Sequence, residues 1–322
     1  MQGRKTNQVD ELYRSYRPLL FGIAYRMLGS AADAEDLVHD VFVQMQSIDP
    51  DTITNLKAYL SKLITNRCLN ELKSARKQRE VYVGPWLPEP LLITDQSPLA
   101  ALERDESLLY GFMVMLEQLK PAERAVFILR EVLDFEYVEI ADILGITDTY
   151  CRQLLSRARK KVRLHGNRQH EGKNSSHGHR QPHNHRPNSP YYEHGKPMDS
   201  FSIINEQVHR FFSAFKKGNI QELTELLAED VIIRTDGGGN VRAAINPIYG
   251  RQRVLIFLSA LHARGWSDAT GHVRNVNGEP GIIFEDEHGV KAVACFDWEE
   301  HSTQIRNIYV VLNPQKLTTV VL

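Results

Sequence analysis

The sequence predicts a multidomain protein with three folded units in series, two all-α and one α+β, joined by two irregular linkers. Three observations carry this. Apolar residues recur at helical spacing from residue 8 to 78 and again from about Leu99 to Val162. Prolines and glycines crowd together between those stretches, at Gly84, Pro85, Pro88 and Pro90. After a polar segment, His165 to Pro197, two helical patterns give way to runs rich in β-branched and aromatic residues. The predicted borders are 1–79, 80–100, 101–164, 165–197 and 198–322.

Composition excludes some classes. The 322 residues hold 39 Lys and Arg against 40 Asp and Glu, so a nucleic-acid surface must come from local charge rather than from the total. Met1 to Val9 is polar, and no apolar run nears the roughly 20 residues of a membrane-spanning helix, which predicts a cytoplasmic protein without a membrane partner. Cys68, Cys151 and Cys295 are far apart and in no C-x-x-C pair, so disulfides and zinc are not expected.

The first unit reads as helices throughout. Leu12, Tyr16, Leu19, Leu20, Ile23 and Met27 form one apolar stripe, Leu37, Val41 and Met45 a second, and Tyr59, Leu63, Ile64 and Leu72 a third. Ser30, three residues before Asp33, fits a helix N-cap, and the acidic cluster Asp33, Glu35, Asp36 and Asp40 suits the positive end of a helix or a basic protein partner. Lys73, Arg76, Lys77 and Arg79 close the third stripe with positive charge. The prolines that follow forbid regular structure and leave an extended linker carrying Trp86.

In the second unit the last two helices are the informative pair. Phe135 to Leu144 reads as a short helix, Gly145 as the turn, and Cys151, Leu155, Ala158 and Val162 as the buried face of a second helix. This is helix-turn-helix grammar, in which the second helix enters the major groove. Between Tyr150 and Leu164 stand six basic residues, Arg152, Arg157, Arg159, Lys160, Lys161 and Arg163, and no acidic one. A solvated basic helix face has the same pattern, so charge and motif together, not either alone, point to DNA.

Two longer stretches carry a family resemblance. Phe21-Gly-Ile-Ala-Tyr-Arg-Met-Leu-Gly-Ser30, continuing Ala-Ala-Asp-Ala-Glu-Asp-Leu-Val-His-Asp-Val-Phe42, resembles the polymerase-binding core of region 2 in extracytoplasmic-function sigma factors. Leu119 to Glu131, Tyr137 to Gly145 and Leu155 to Arg159 resemble their region 4. Tyr82-Val-Gly-Pro-Trp-Leu-Pro-Glu-Pro90, Cys151-Arg-Gln-Leu154, Asp236-Gly-Gly-Gly-Asn-Val241 and Asn313-Pro-Gln-Lys-Leu317 are similar to motifs of a branch with a fused C-terminal domain. In that branch a basic residue usually stands where this chain has Asn240.

The resemblance implies a transcription-initiation factor, not an enzyme, whose partners are core RNA polymerase, through its clamp and flap elements, and promoter DNA. It places polymerase contacts on Asp33, Glu35, Asp36, Leu37, Val38, Asp40, Val41 and Phe42, although by spacing alone the apolar members read as core. It places the minus-ten element against Tyr59, Lys62, Asn66, Arg67 and Asn70, behind a polar loop at Gln46 to Asn55 suited to splayed bases. It places the minus-thirty-five element against Asp148, Thr149, Tyr150, Arg152, Gln153, Ser156 and Arg157, with Arg157, Arg159 and Lys160 reaching phosphates. Interdomain regulatory contacts fall on Trp86, Leu87, Pro88, Glu89, Pro90, Asp236, Gly237, Gly238, Gly239, Asn313, Pro314, Lys316 and Leu317.

The polar segment from His165 to Pro197 contains seven of the thirteen histidines and reads as a disordered tether. His177, His179, His183 and His185 could bind a transition metal, but no carboxylate or cysteine lies among them, so neither metal nor cofactor is expected.

The last unit opens with a helix bearing Val208, Phe211, Phe212 and Phe215 and a shorter one at Ile220 to Leu227. Strands are predicted at Val231 to Thr235, Val273 to Val276, Gly281 to Glu285, Val290 to Trp298 and Ile305 to Leu312, with a helix at Arg251 to Ala263. This order resembles a SnoaL-like, or NTF2-like, cone: helices against a curved antiparallel sheet around a pocket that a small-molecule ligand could occupy. Asp236, His209, His262 and His301 are formal candidates for a proton shuttle, but no pair stands out. The competing functional class is a helix-turn-helix repressor fused to a small-molecule sensor or enzyme, which would not need the region 2 motif.

Overall fold

The computed structural model describes residues 2–79, 82–92, 109–168, 198–299 and 302–320. The histidine-rich segment from residue 169 to 197, His301 and the side chains of Arg76, Lys77 and Arg79 lie outside the described residues, while His165 to Arg168, predicted as part of the tether, continue the last helix of the second unit.

The first three helices are α1 (Gln2–Leu28), α2 (Ala31–Met45) and α3 (Leu56–Arg79). Ser30 caps α2 as its sequence position predicts, its hydroxyl accepting from the Asp33 amide at 3.2 Å. The polar loop before α3 contains one 3-10 turn, Pro50–Thr52, capped by Asp49.

Among the described residues, four helical segments lie between the linker and the C-terminal unit. These are α4 (Tyr110–Leu116), α5 (Pro121–Phe127) with a π-helical extension over Ile128–Val132, α6 (Tyr137–Leu144) and α7 (Asp148–Arg168). Pro121 sits in the first turn of α5, where its missing N–H costs nothing. Gly145 ends α6 at φ 64°, a left-handed conformation that lets the Ile146 amide close on the Ala141 carbonyl at 3.0 Å and turns the chain into α7. Phe135, predicted as helical, instead lies in the turn before α6 and is buried.

The buried residues of α1 to α3 and of α4 to α7 form one continuous apolar cluster. Regions predicted as two separate bundles are thus packed into one helical body in this arrangement.

The C-terminal unit holds α8 (Met198–Lys217), α9 (Ile220–Leu226), β1 (Leu227–Asp236), β2 (Ile248–Tyr249), α10 (Arg251–Leu261), β3 (Thr270–Val276), β4 (Glu279–Asp286), β5 (Gly289–Trp298) and β6 (Ile305–Val311). The strand order is β2-β1-β6-β5-β4-β3. The predicted all-antiparallel sheet is corrected here: β1 and β6 pair in parallel. The reason is connectivity. β3 to β6 form an antiparallel meander, and α10 carries the chain from the β1 edge to the far end of that meander, so β6 returns beside β1 in the same direction. Two-residue β2 was not predicted, being too short to show alternation.

The central strands β4, β5 and β6 are buried on both faces of the sheet. One face packs on α8, α9 and α10 through Phe211, Phe215, Phe284 and Phe296, with Phe212, Trp266 and Trp298 packed around them. Where the cone resemblance implied a pocket, these rings stack edge to face, as Phe211 does on Phe296 with centroids 5.2 Å apart. The other face carries Val293, Cys295, Tyr309 and Val311 against Leu87 of the linker and Tyr110 and Val114 of α4. The fold therefore places the linker between the helical body and the sheet.

Candidate interdomain latch and nucleic-acid faces

The linker meets the C-terminal unit at a buried charge pair. Asp236, at the end of β1, is 0% exposed, and its Oδ2 accepts from the Lys316 ammonium at 2.8 Å and from the Leu87 amide at 2.9 Å. Its Oδ1 accepts from the Tyr82 hydroxyl at 2.5 Å and from the Gly238 amide at 3.0 Å. Lys316 also donates to the Leu87 carbonyl at 2.5 Å, and its Nζ sits 3.8 Å from the Trp86 ring centroid and 5.1 Å from that of Tyr82. Carboxylate and ammonium are thus each satisfied by several partners, the condition under which a buried pair holds together.

The glycine-rich turn and the tail complete this arrangement. Gly238 adopts φ 61°, and a Cβ there would run into the Asn313 amide. A side chain at Gly237 would collide with the Val241 carbonyl, while Gly239 packs against Val83. Asn313 donates to the Tyr82 hydroxyl at 3.0 Å and caps the short turn Pro314–Lys316 that presents the lysine. Leu317 is buried in the seam between linker and sheet. Asn240 is exposed.

A second set of contacts ties the linker to the helical body. Glu89 Oε2 accepts from the Ala31 and Ala32 amides at 2.7 and 3.2 Å, and its Oε1 accepts from the Ser30 hydroxyl at 2.9 Å. A linker carboxylate therefore closes the N-terminus of α2, where the helix dipole favours negative charge. Burial pushes the Glu89 carboxyl above its usual range, and the Ser30 hydroxyl and the two amides pull it partly back. Trp86 lies over Gly29, where a Cβ would come within 2.6 Å of the ring. Pro88 and Pro90 are buried, and the Pro88 carbonyl accepts from the Tyr110 hydroxyl at 2.6 Å.

Tyr25 and Asn277 bridge all three parts. The Tyr25 hydroxyl donates to the Glu89 carbonyl at 2.7 Å and accepts from Asn277 Nδ2 at 2.8 Å. Asn277 Oδ1 accepts from the Leu91 amide at 2.8 Å, and the Asn277 amide donates to the Leu91 carbonyl, also at 2.8 Å. Neither residue was picked out as an interdomain contact. Asn277-Gly278 has the composition of a two-residue hairpin turn and takes the positive φ values of one, 55° and 86°, so the sequence explains the asparagine locally and hides its second role.

Among the proposed polymerase contacts, Val38, Val41 and Phe42 are 0%, 0% and 4% exposed and belong to the core, and Leu37 is half-buried. Their expected role as an apolar docking surface is corrected: helical spacing puts them on the inner face of α2. Asp33, Asp36, Asp40 and Val43 are on the outer face, while Glu35 pairs with Arg17 at 2.6 Å.

The residues assigned to the minus-ten element share α3, but several are engaged. Lys62 Nζ lies 3.1 Å from the Asp142 carboxylate of α6, and Asn66 Nδ2 donates to the Ile143 carbonyl at 3.3 Å. These groups line a groove of about 450 Å³ between α3 and the α6–Gly145 turn. Arg67 reaches Gln44 at 2.9 Å and Asp40 at 3.5 Å; Tyr59 is half-buried and Asn70 exposed. Buried Arg124 of α5 crosses the same boundary, donating to the Met27 carbonyl of α1 at 2.6 Å and pairing with Glu117.

On α7, Thr149, Tyr150, Arg152, Gln153, Ser156, Arg157 and Lys160 are exposed, and Asp148 is half-exposed beside Arg152. Arg159, expected on phosphates, turns back to Glu131 at 2.6 Å, and Lys161 pairs with Glu123 at 2.6 Å. The outward basic set is therefore Arg152, Arg157, Lys160 and Arg163.

The formal proton-shuttle candidates are dispersed. Asp236 belongs to the latch, His209 is exposed on α8, and His262 Nε2 donates to the Lys216 carbonyl at 3.2 Å beside Phe215. No group of three or more His, Cys, Asp or Glu side chains suited to a metal ion occurs among the described residues. No helix among them is long and apolar enough to cross a membrane.

Comparison with known proteins places these features in a family. Residues 12–78 match the model for Sigma-70 region 2, and residues 111–162 match that for Sigma-70, region 4. The chain is 29% identical over 316 residues to the ECF RNA polymerase sigma factor SigJ of Mycobacterium tuberculosis, spanning 95% of this chain and 92% of that protein. It is 30% identical over 156 residues to SigL of the same species, 48% of this chain and 85% of that protein. The crystal structure of the M. tuberculosis extracytoplasmic function sigma factor SigJ superposes with a TM-score of 0.72 at 26% identity, over 96% of this chain and 98% of that one. With region 2 and region 4 matched in order and the likeness running through the C-terminal sheet, this chain belongs to the ECF RNA polymerase sigma factors.

Proposed function

We propose that this sigma factor recruits core RNA polymerase to promoter DNA in the cytoplasm, and that its C-terminal unit is a non-enzymatic restraint holding regions 2 and 4 together. One observation carries the restraint. Regions 2 and 4 share a continuous core, and Lys62 and Asn66 on α3 are occupied by α6. The minus-ten and minus-thirty-five elements are separated by about 25 base pairs, or roughly 85 Å of duplex at about 3.4 Å each. Side-by-side helices of 24 and 21 residues cannot span that distance, so α3 and α7 must part before both elements are read.

The linker is the natural point of control. Leu87 to Leu91 are buried between the helical body and the sheet, so regions 2 and 4 cannot move far apart without pulling Trp86 and Glu89 from their seats. The acidic outer face of α2 is suited to basic polymerase elements, and the outward face of α7 to the upstream promoter element. The dispersed His and Asp side chains of the C-terminal unit support a structural rather than a catalytic role.

The test is promoter-dependent transcription with purified core polymerase, comparing the full chain with Asp236→Asn. Specific starts from both, stronger from the variant, support the reading. Equal output would sink the restraint, and an absence of specific starts from either would sink promoter recognition.

A further inference from the structure

We propose that Asn277 is a deamidation site gated by the linker: the closed arrangement protects its side-chain amide, and a chain that stays open is converted into one whose linker no longer seats. This rests on the reading of the C-terminal unit as a restraint and adds a covalent, one-way step to it.

The sequence supplies the reactive pair. Asn277-Gly278 is the only Asn-Gly dipeptide in the 322 residues. An asparagine side chain is attacked by the amide nitrogen of the residue that follows, and glycine, with no Cβ, leaves that nitrogen open to approach. The pair forms the turn between β3 and β4, and β3 is the end strand of the sheet, so once the linker departs β4 alone holds the outer strand of this hairpin.

The chemistry needs water and nothing else. The Gly278 amide nitrogen loses its proton and bonds to Asn277 Cγ, the side-chain nitrogen takes up a proton and leaves as ammonia, and a cyclic succinimide results. Water then opens the ring at either carbonyl, giving aspartate or isoaspartate at position 277.

The linker and the helical body block the first step. Asn277 is 0% exposed and both ends of its amide are engaged, Oδ1 accepting from the Leu91 amide and Nδ2 donating to the Tyr25 hydroxyl, each at 2.8 Å. Turning Cγ toward the Gly278 nitrogen breaks both bonds. The backbone is covered as well, by the bond from the Asn277 amide to the Leu91 carbonyl at 2.8 Å and by a bridge between Leu92 and Val276. Withdrawal of the linker and of Tyr25 removes all of these contacts together.

The product fits the closed seam poorly. The Tyr25 hydroxyl has one proton and donates it to the Glu89 carbonyl. A carboxylate at position 277 puts a second acceptor where Nδ2 was a donor, so either that oxygen or the Glu89 carbonyl loses its partner at a fully buried site. Isoaspartate also adds a methylene to the backbone of a turn that has no room for an extra atom in its two-residue register. Deamidation therefore favours the open form and does not reverse.

The experiment follows deamidation of the full wild-type chain at mildly alkaline pH, alone and bound to core polymerase and promoter DNA, beside Lys316→Met and a free peptide of residues 273–283. Lys316→Met is the opening variant because Asp236→Asn would itself place an asparagine before Gly237. Digestion and mass spectrometry read the amide-to-acid change at position 277, and energy transfer between Val43 and Lys160, both exposed, reads opening. The free wild type should deamidate at least about tenfold more slowly than the peptide, since two hydrogen bonds must break first. The polymerase-bound chain and Lys316→Met should recover most of that difference, and Asn277→Asp should be open with Lys316 intact. A free wild type as fast as the peptide, opened chains as slow as the closed one, or an Asn277→Asp that closes as the wild type does, overturns the deamidation switch and leaves the restraint standing. If neither polymerase nor Lys316→Met lengthens the Val43–Lys160 distance, the restraint fails and the switch with it.

Discussion

The two interfaces that would have to loosen in this molecule are built differently. Region 2 meets region 4 through a shared apolar cluster with few polar links, Arg124 to the Met27 carbonyl and Lys62 to Asp142 among them. The linker meets the C-terminal sheet through buried, directional contacts: Asp236 with Lys316, Tyr82 and Leu87, and Asn277 with Tyr25 and Leu91. Apolar packing is tolerant of partner and geometry, so another protein surface can replace it. A buried charge pair is strongly unfavourable once one member is lost. The contrast implies that the linker–sheet contact is the part sensitive to single residues, and the region 2–region 4 contact the part that exchanges partners.

Asp236→Asn should break the comparison most severely. It leaves the Lys316 ammonium buried without a counter-charge, a loss of about 3–5 kcal/mol. Chemical denaturation followed by tryptophan fluorescence should show the linker released at lower denaturant, and adding Lys316→Met should recover part of the loss. An unchanged midpoint in Asp236→Asn would mean the pair is not what holds the linker.

Asn277→Gly comes next. Glycine keeps the positive φ of the turn, so the change isolates the side-chain bonds to Tyr25 and Leu91. The buried Leu91 amide is left unsatisfied, at about 1–3 kcal/mol, while the Tyr25 hydroxyl keeps its bond to the Glu89 carbonyl. Thermal unfolding should show the drop, and hydrogen exchange at Leu91 should accelerate.

Glu89 gives a smaller and pH-dependent effect. Its carboxyl titrates above the ordinary value of 4.5 in the closed arrangement, chiefly through burial, and near that value when the linker is released. The closed form therefore binds the proton more tightly. The linkage contribution is fully present below pH 4.5 and is lost as pH rises through the raised value. Stability measured from pH 4 to about 7 should carry this downward slope with rising pH, and Glu89→Gln should remove it.

The smallest effect is expected at Asp142→Asn. The Lys62–Asp142 pair is 40% and 77% exposed, so its contribution is within roughly 1 kcal/mol and is screened by salt. A modest gain in binding to minus-ten DNA at low salt, vanishing at high salt, would fit a carboxylate that competes with a phosphate for Lys62. A large, salt-independent gain would move the main restraint from the linker to this contact.

Much of this architecture is legible in the sequence, and the gaps have physical causes. The helix-turn-helix could be read because Gly145 and the Cys151–Leu155–Ala158–Val162 face are local signals. The latch residues Trp86, Asp236 and Lys316 were marked by motif, but their pairing depends on residues 80 to 230 positions apart, which no periodicity reports. Val38, Val41 and Phe42 were misassigned because a motif fixes which residues matter and not which way they face. Arg159 and Lys161 looked free because their partners, Glu131 and Glu123, lie on another helix.

The most direct measurement is the distance between region 2 and region 4 by single-molecule energy transfer. Dyes would be placed at Val43 and Lys160, both exposed, since Cys68, Cys151 and Cys295 are buried. The account predicts one short distance in the full chain and a second, longer population in Asp236→Asn. An unchanged short distance in that variant, with Trp86 fluorescence showing its ring released, would contradict the claim that the C-terminal unit holds the two regions together.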